Sequence, residues 1–340
     1  MSRRGTARAL TARVLAAAGL LAALAGCHMT PLASAHGPAP GGLAGPARGT
    51  GPAAGLPFDV SSLLDPSGKF LGVEAPRAPQ TLAPVRRFAA AIGRHPNLIG
   101  QYAAWNKPFY PSGVINAWHY GALSYLAWEP YQTSVQAIAG GASDAYISRF
   151  ARAVRGLGLP IVLSFGHEMN GNWYPWGTTA ASPASFVAAW RHIHDLFVQA
   201  GASNVIWMWN PNIINPVPQV KLRPYYPGDA YVDWVGVTGY FPTTGPDTYG
   251  TLYLPTISEV RRFTSKPLII AETSVETGPD EVASVHHLVA AVARHRDMLG
   301  FIWFDFNKNG VDWRAESRPI LRAALARALS PVPLAGVTRH

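Results

Sequence analysis

Between residues 58 and 335, short apolar runs alternate with longer segments whose hydrophobic positions recur at helical spacing. Eight of the runs read as strands: 70–73, 98–103, 123–128, 161–165, 205–209, 234–238, 268–271 and 301–304. Apolar strands separated by amphipathic segments are the signature of repeated βα units around a parallel sheet. The clearest helix signal is Ser182-Pro183 ahead of 184–200, with a capping serine, proline in the first turn and Gly201 behind it. Residues 81–94, 144–156, 280–298 and 317–329 have similar patterns, whereas 112–120 and 220–230 predict irregular crossovers. Eight strands with mostly helical crossovers favour a (β/α)8 barrel of the α/β class, a single domain over 58–335. No Gly-x-Gly-x-x-Gly follows the first strand, which argues against a dinucleotide fold.

Ahead of the periodic region the chain changes character. Residues 1–26 carry Arg3, Arg4, Arg8 and Arg13 with no acidic residue, then an apolar run over 14–24, the layout of a signal peptide and too short for a membrane span. The run ends in Leu24-Ala25-Gly26-Cys27, which resembles a bacterial lipobox. The expectation is a lipoprotein signal over 1–26, with Cys27 lipidated and leading the mature chain. The alternative is an ordinary secretory signal cleaved within 32–35, with Cys27 lost. Residues 27–57, dominated by Gly, Ala and Pro, carry no hydrophobic period and read as a tether. Either way the protein is expected outside the cytoplasm, at the bacterial cell surface or secreted.

Composition narrows the classes. The chain is 48% hydrophobic and 14% charged, enough apolar material for a large core and incompatible with disorder throughout. A single cysteine excludes an intrachain disulfide. The net charge of +9 falls to +5 once the four arginines of the signal are removed. No lysine or arginine run follows, so nucleic acid is not an expected partner, and membrane contact is expected only through an anchor at Cys27. His286-His287 lies within a predicted helix with no metal-ligand spacing to other residues, so neither metal nor cofactor is expected. A monomer is expected.

Barrel enzymes carry their chemistry at the C-terminal ends of strands. The fourth predicted strand runs into Gly166-His167-Glu168-Met169-Asn170-Gly171-Asn172-Trp173-Tyr174-Pro175-Trp176-Gly177, and the seventh into Glu272-Thr273-Ser274. Two carboxylates three units apart face one another across the mouth. Glycoside hydrolysis needs such a pair, one to protonate the leaving oxygen and one to attack or to activate water. Trp105, Trp128, Trp173, Trp176, Trp209, Tyr240 and Trp303 fall at or just beyond strand ends, where rings could stack on pyranose faces. His167, Asn170 and Asn210 are candidate partners for sugar hydroxyls.

The block His167-Glu168-Met169-Asn170-Gly171-Asn172-Trp173, with Trp176-Gly177, Ala271-Glu272 and Trp303-Phe304-Asp305, resembles glycoside hydrolase family 26. Trp207-Met208-Trp209-Asn210-Pro211 and Tyr240 fit the same pattern, and the similarity spans roughly 70–314. The resemblance implies a retaining (β/α)8 glycosidase without a cofactor, with Glu168 as acid/base and Glu272 as nucleophile. It further implies that His167 helps hold the attacked sugar, that Tyr240 orients the nucleophile, and that Trp303 floors the sugar with Trp173 close by. An endo-acting enzyme on a β-1,4-linked polysaccharide is expected, β-mannan first, with mixed-linkage β-1,3-1,4-glucan or xylan as alternatives. Mannanases of the family commonly read Trp-Phe-Trp-Trp-Gly where this chain has Trp173-Tyr174-Pro175-Trp176-Gly177, so one aromatic is missing. A reading of another class is a non-catalytic surface lipoprotein that binds polysaccharide. Physical chemistry adds two requirements. Glu168 must hold its proton near neutrality through desolvation or a neighbouring carboxylate, and Glu272 must be ionised and held by donors.

Overall fold

The computed structural model describes residues 57–308 and 310–337. The signal peptide, Cys27 and all but the last residue of the tether lie outside the described residues.

Eight strands, β1 (Phe70–Glu74), β2 (Leu98–Ala104), β3 (Leu123–Glu129), β4 (Ile161–Phe165), β5 (Val205–Trp209), β6 (Trp234–Thr238), β7 (Leu268–Thr273) and β8 (Met298–Phe304), close into a parallel barrel in sequence order. Closure is made by β8 on β1, in register from Phe70 opposite Gly300 to Glu74 opposite Phe304. All eight predicted strands are present: β4, β5 and β6 keep the predicted bounds, β1, β2, β3 and β7 gain one or two residues at their C-terminal ends, and β8 gains three at its N-terminal end.

The two faces of each strand carry different cores, because successive side chains point to opposite sides. Inside the barrel, Phe70, Leu98, Leu123, Tyr125, Val162, Ile206, Met208, Trp234, Ile269 and Ile302 pack together. Outside it, Leu71, Val73, Ile99, Leu126, Trp128, Leu163, Phe165, Trp207, Trp209, Val235, Ile270, Phe301 and Trp303 belong to a larger cluster shared with the helices. The bottom is plugged by the helix Ser61–Leu64 and by the segment around Ala335 and Val337. Trp234 Nε1 donates to the Leu64 carbonyl at 3.0 Å, and the chain near Ala335 bridges to Lys69. A closed bottom leaves the C-terminal mouth as the open end.

The helix predicted behind Ser182 runs from Pro183 to Gln199, with Ser182 Oγ accepting from the Ser185 amide at 3.2 Å. The expected irregular crossover at 112–120 is instead a helix, Pro111–His119. Proline in its first turn and burial of Gly113, Val114 and Ala117 supply what local propensity lacks, since packing outweighs propensity in a short helix. The stretch 220–230 is irregular as expected, with only two 3-10 turns, Arg223–Tyr225 and Asp229–Tyr231. No described helix is long and apolar enough to cross a membrane.

Candidate active site

Glu168 sits just beyond β4 on a turn that is unusual for its residues. Gly166 and Glu168 both adopt positive φ, 56° and 55°. Glycine takes this region freely; for glutamate it is a strained conformation, of the kind retained at functional sites when surrounding contacts dictate it. Those contacts are present. The Glu168 amide donates to the Asn210 carbonyl at 2.7 Å, joining the ends of β4 and β5. Asn170 and Asn212 form a reciprocal clamp across the same gap: Asn170 Nδ2 donates to the Asn212 carbonyl at 2.9 Å, and the Asn212 amide donates to Asn170 Oδ1 at 2.8 Å.

The Glu168 carboxyl is 1% exposed. Trp173 Nε1 donates to Oε2 and Asn212 Nδ2 donates to Oε1, both at 2.7 Å. Burial, followed by the negative charge of Glu272, pushes its pKa up to about 8, against the opposing pull of those two donors and of Lys308. Trp173 reaches this position because Gly171 has no side chain, a Cβ there falling 2.4 Å from the indole.

Glu272 reaches the mouth through a bulge. In β7, Ile269 and Ala271 belong to the inner core, so strict alternation would turn Glu272 outward. The register against β6 slips between Val237 and Thr238: Val237 pairs with Ile270 and Thr238 with Glu272, leaving Ala271 as the extra residue. The next side chain is thereby re-aimed inward, a common use of bulges beside active sites. Glu272 Oε2 then accepts from the Tyr102 hydroxyl at 2.5 Å, and Oε1 accepts from the Tyr240 hydroxyl. Burial and the Glu272 charge hold both phenols well above their usual range, so both remain donors.

Around this pair, His167 is buried, with Nε2 3.2 Å from the Tyr174 hydroxyl and Nδ1 without a partner among the described residues. Burial, and then Lys308, depress its pKa to about 3, so the ring is neutral at working pH. Glu129, at the end of β3, is pushed up to about 8 by burial and by Glu272. Lys308, on the small hairpin of strands Asn307–Lys308 and Val311–Asp312, is a cation beside these carboxylates, with Nζ 5.7 Å from the centre of the Phe304 ring.

The structure thus brings Glu168, Glu272, His167, Trp173 and Tyr240 together and places the other expected site residues elsewhere. Asn170 and Asn210 are spent on protein contacts. Asn170 makes the clamp, and Asn210 Oδ1 accepts from Thr238 Oγ1 at 3.2 Å. Trp176 stacks on Tyr174 with centroids 4.4 Å apart and donates to the His167 carbonyl at 2.7 Å, so it braces His167 from behind. Trp105 and Trp128 are corrected to the outer layer, tilted together at 4.4 Å, with Trp128 Nε1 donating to the Tyr146 hydroxyl. Trp303 is corrected likewise. Ile302 faces the inner core, so Trp303 faces the helices, donating to the Trp313 carbonyl at 3.2 Å. Phe304 takes the mouth-facing position, edge-on to Tyr240 at 5.7 Å. Sequence reasoning missed Tyr102, Asn212, Glu74, Glu129, Phe304 and Lys308. For Glu74 and Glu129 a signal existed, a carboxylate closing an otherwise apolar strand. No group of three or more His, Cys, Asp or Glu able to hold a metal occurs among the described residues.

Comparison with known proteins places this architecture. The family model "Glycosyl hydrolase family 26" matches residues 117–262, a span that includes Glu168 and ends before Glu272. The chain is 31% identical over 263 residues to endoglucanase H of Acetivibrio thermocellus, covering 72% of this chain and 29% of that protein. It is 27% identical over 114 residues to a mannan endo-1,4-beta-mannosidase of Bacillus subtilis, covering 31% and 30%. The chain therefore spans less than a third of the length of these relatives. Among solved structures, a Cellulomonas fimi endo-beta-1,4-mannanase double mutant superposes with a TM-score of 0.65 at 19% identity, over 82% of this chain and 75% of that one. A β-mannanase of Bacteroides ovatus superposes with a TM-score of 0.57 at 15% identity, over 81% and 92%. With the matching family model, these relatives and the shared closed barrel, the chain belongs to glycoside hydrolase family 26.

Proposed function

We propose that the protein is a retaining, endo-acting β-glycoside hydrolase that cuts a β-1,4-linked polysaccharide, most readily β-mannan. One observation carries the reading: two glutamates from opposite strands share the barrel mouth in different environments. Glu168 is buried and proton-retaining, while Glu272 has each oxygen held by a phenolic donor. Environments that separate two carboxyls in this way assign acid and nucleophile.

In the first step Glu272 attacks the anomeric carbon while Glu168 gives its proton to the glycosidic oxygen, so the glycosidic bond breaks and a glycosyl ester forms on Glu272. The leaving chain departs with that proton. In the second step Glu168, now a carboxylate, takes a proton from water. The hydroxide oxygen bonds to the anomeric carbon, the ester breaks, and Glu272 returns to its starting state. Neutral His167 offers its unpartnered Nδ1 to a sugar hydroxyl, and Trp173 holds the acid while presenting its ring to the mouth.

The substrate is weighed from relatives and from one loop. Mannan is supported by the β-1,4-mannosidases among the relatives. Mixed-linkage glucan is the second reading. It is favoured by the long match to an endoglucanase and by the missing aromatic in Trp173-Tyr174-Pro175-Trp176, where Tyr174 is drawn inward to His167. Export with a lipid anchor at Cys27, and a monomeric state, complete the proposal. The export and the anchor rest on the sequence of residues 1–27, and labelled fatty acid incorporation lost in Cys27→Ala tests the anchor.

The deciding experiment is reducing-end release from mannans, mixed-linkage glucan, xylan and cellulose by the purified protein, with the anomer of the first product read by proton NMR. Cleavage of one polymer with β-configured product is expected, together with a drop of about 10²–10⁴-fold in Glu168→Ala and loss to background in Glu272→Ala. Glycan binding without turnover on any polymer would overturn the enzyme reading in favour of a surface binding protein.

A further inference from the structure

Beneath the proposed nucleophile lies a third carboxyl that the reaction as described does not use. Glu74 closes β1, opposite Phe304 of β8 and Gly100 of β2, and is 1% exposed. Its carboxyl lies flat over Gly100, where a Cβ would fall 2.4 Å from Cγ and 2.5 Å from Oε1. Oε2 is 3.1 Å from the Tyr102 hydroxyl, the same hydroxyl that stands 2.5 Å from Glu272 Oε2. Oε1 is buried without a partner among the described residues.

A phenol has one hydrogen to give. Placed between two carboxyls, Tyr102 can donate to only one of them, and the shorter contact is to Glu272. The longer contact then becomes a hydrogen bond only if Glu74 is the donor. We infer that Glu74 is a neutral carboxylic acid at working pH that donates to Tyr102 Oη, committing the Tyr102 proton to Glu272 and positioning it as the nucleophile. The inference rests on the hydrolase reading for its consequence, though not for the chemistry of the chain Glu74–Tyr102–Glu272.

Two further observations agree. A carboxylate at Glu74 would leave a buried charge with Oε1 unsatisfied, whereas the acid leaves only a weaker carbonyl acceptor bare. Burial, and then the charge of Glu272, hold the Glu74 carboxyl well above the ordinary range, against the pull of the Tyr102 hydroxyl and with a further rise from its hydrogen-bond contact with Glu272. The charged and titratable groups around it are Glu272, Glu129, Tyr102, Tyr125, Tyr240 and Lys308; Lys308, the cation among them, pulls against the proton, and burial with the Glu272 charge outweighs it.

The test joins a spectroscopic arm to a kinetic one. Infrared spectra of the intact protein at pH 7 should contain a protonated-carboxyl C=O stretch that Glu74→Gln removes and that survives in Glu168→Gln. No change on Glu74→Gln overturns the inference whether or not the protein cleaves any polymer, so inactivity alone counts against the hydrolase reading and not against this one. In the kinetic arm, Glu74→Ala and Tyr102→Phe should each lower kcat by roughly tenfold at little change in KM, the loss of about one hydrogen bond to a charged group. Their double variant should be no worse than either single, as expected for residues acting as one unit. Glu74→Gln, whose amide still donates to Tyr102, should recover most of the Glu74→Ala loss and leave the acid limb of kcat/KM in place. If Glu74 were ionised instead, removing its charge would move that limb toward lower pH. Such a shift, or full additivity in the double variant, would overturn the inference.

Discussion

Asn212 Nδ2 donates to Glu168 Oε1 at 2.7 Å, and the Asn212 backbone is held in turn by the side chain of Asn170. The loop after β5 therefore tunes the acid carried by the loop after β4. A donor aimed at a carboxylate favours the charged form, so this contact lowers the proton affinity of Glu168 and partly offsets burial.

Removing that donor should raise the proton affinity of Glu168. In Asn212→Ala the alkaline limb of kcat should move upward from near pH 8, with kcat/KM falling roughly tenfold as the orientation of the carboxyl is lost. Asn170→Ala should move the limb in the same direction by less, since it acts through Asn212. A pH–rate profile of both variants checks this, and a downward shift would contradict it.

Stability should fall as pH rises through neutrality. Glu168, Glu129 and Glu74 all have folded-state pKa values raised above the ordinary carboxylate value near 4.5. Between that value and about 8 the folded protein holds more protons than the unfolded chain, so the unfolding free energy decreases with pH. Melting temperature should therefore decline from pH 5 to pH 8. Glu168→Gln should flatten part of the decline and be more stable than the parent at pH 8 by about 1–3 kcal/mol, the usual gain from removing a buried functional charge. Thermal melts of both proteins across the range decide it.

The outer-ring tryptophans should behave as structure. Trp128→Ala removes a fully buried indole packed on Trp105 and Phe150 and should cost about 3–5 kcal/mol in denaturant titration with KM unchanged at permissive temperature. Trp173→Phe should do the opposite, with little stability lost but the alkaline limb moved upward, because it deletes the donor to Glu168 Oε2.

The loop behind Glu272 is fastened by Arg318, which donates to the Val275 carbonyl at 2.6 Å and pairs with Glu281 in a buried ion pair. Arg318→Met strands the Glu281 charge and should cost about 3–5 kcal/mol. The double variant Arg318→Met, Glu281→Leu should recover part of that loss. Urea unfolding of the two measures the difference.

Periodicity was legible from the order of the residues alone. Apolar runs spaced by amphipathic segments located all eight strands and five of the crossover helices, because burial on both faces of a parallel sheet leaves a continuous hydrophobic run. It also marked His167, Glu168 and Glu272 by their places just beyond strand ends. The tertiary structure alone decided which way the side chains point. Trp128 and Trp303 lie on the outer face, against the helices, because alternation with Ala127 and Ile302 leaves them no other side. Glu272 escapes the same parity only because a bulge at Ala271 gives β7 one residue more than β6. Glu74, Tyr102 and Asn212 join the site from β1, β2 and the loop after β5, segments distant in sequence that barrel closure makes neighbours. A one-dimensional pattern records whether a position is buried; ring closure and a single register slip determine against what.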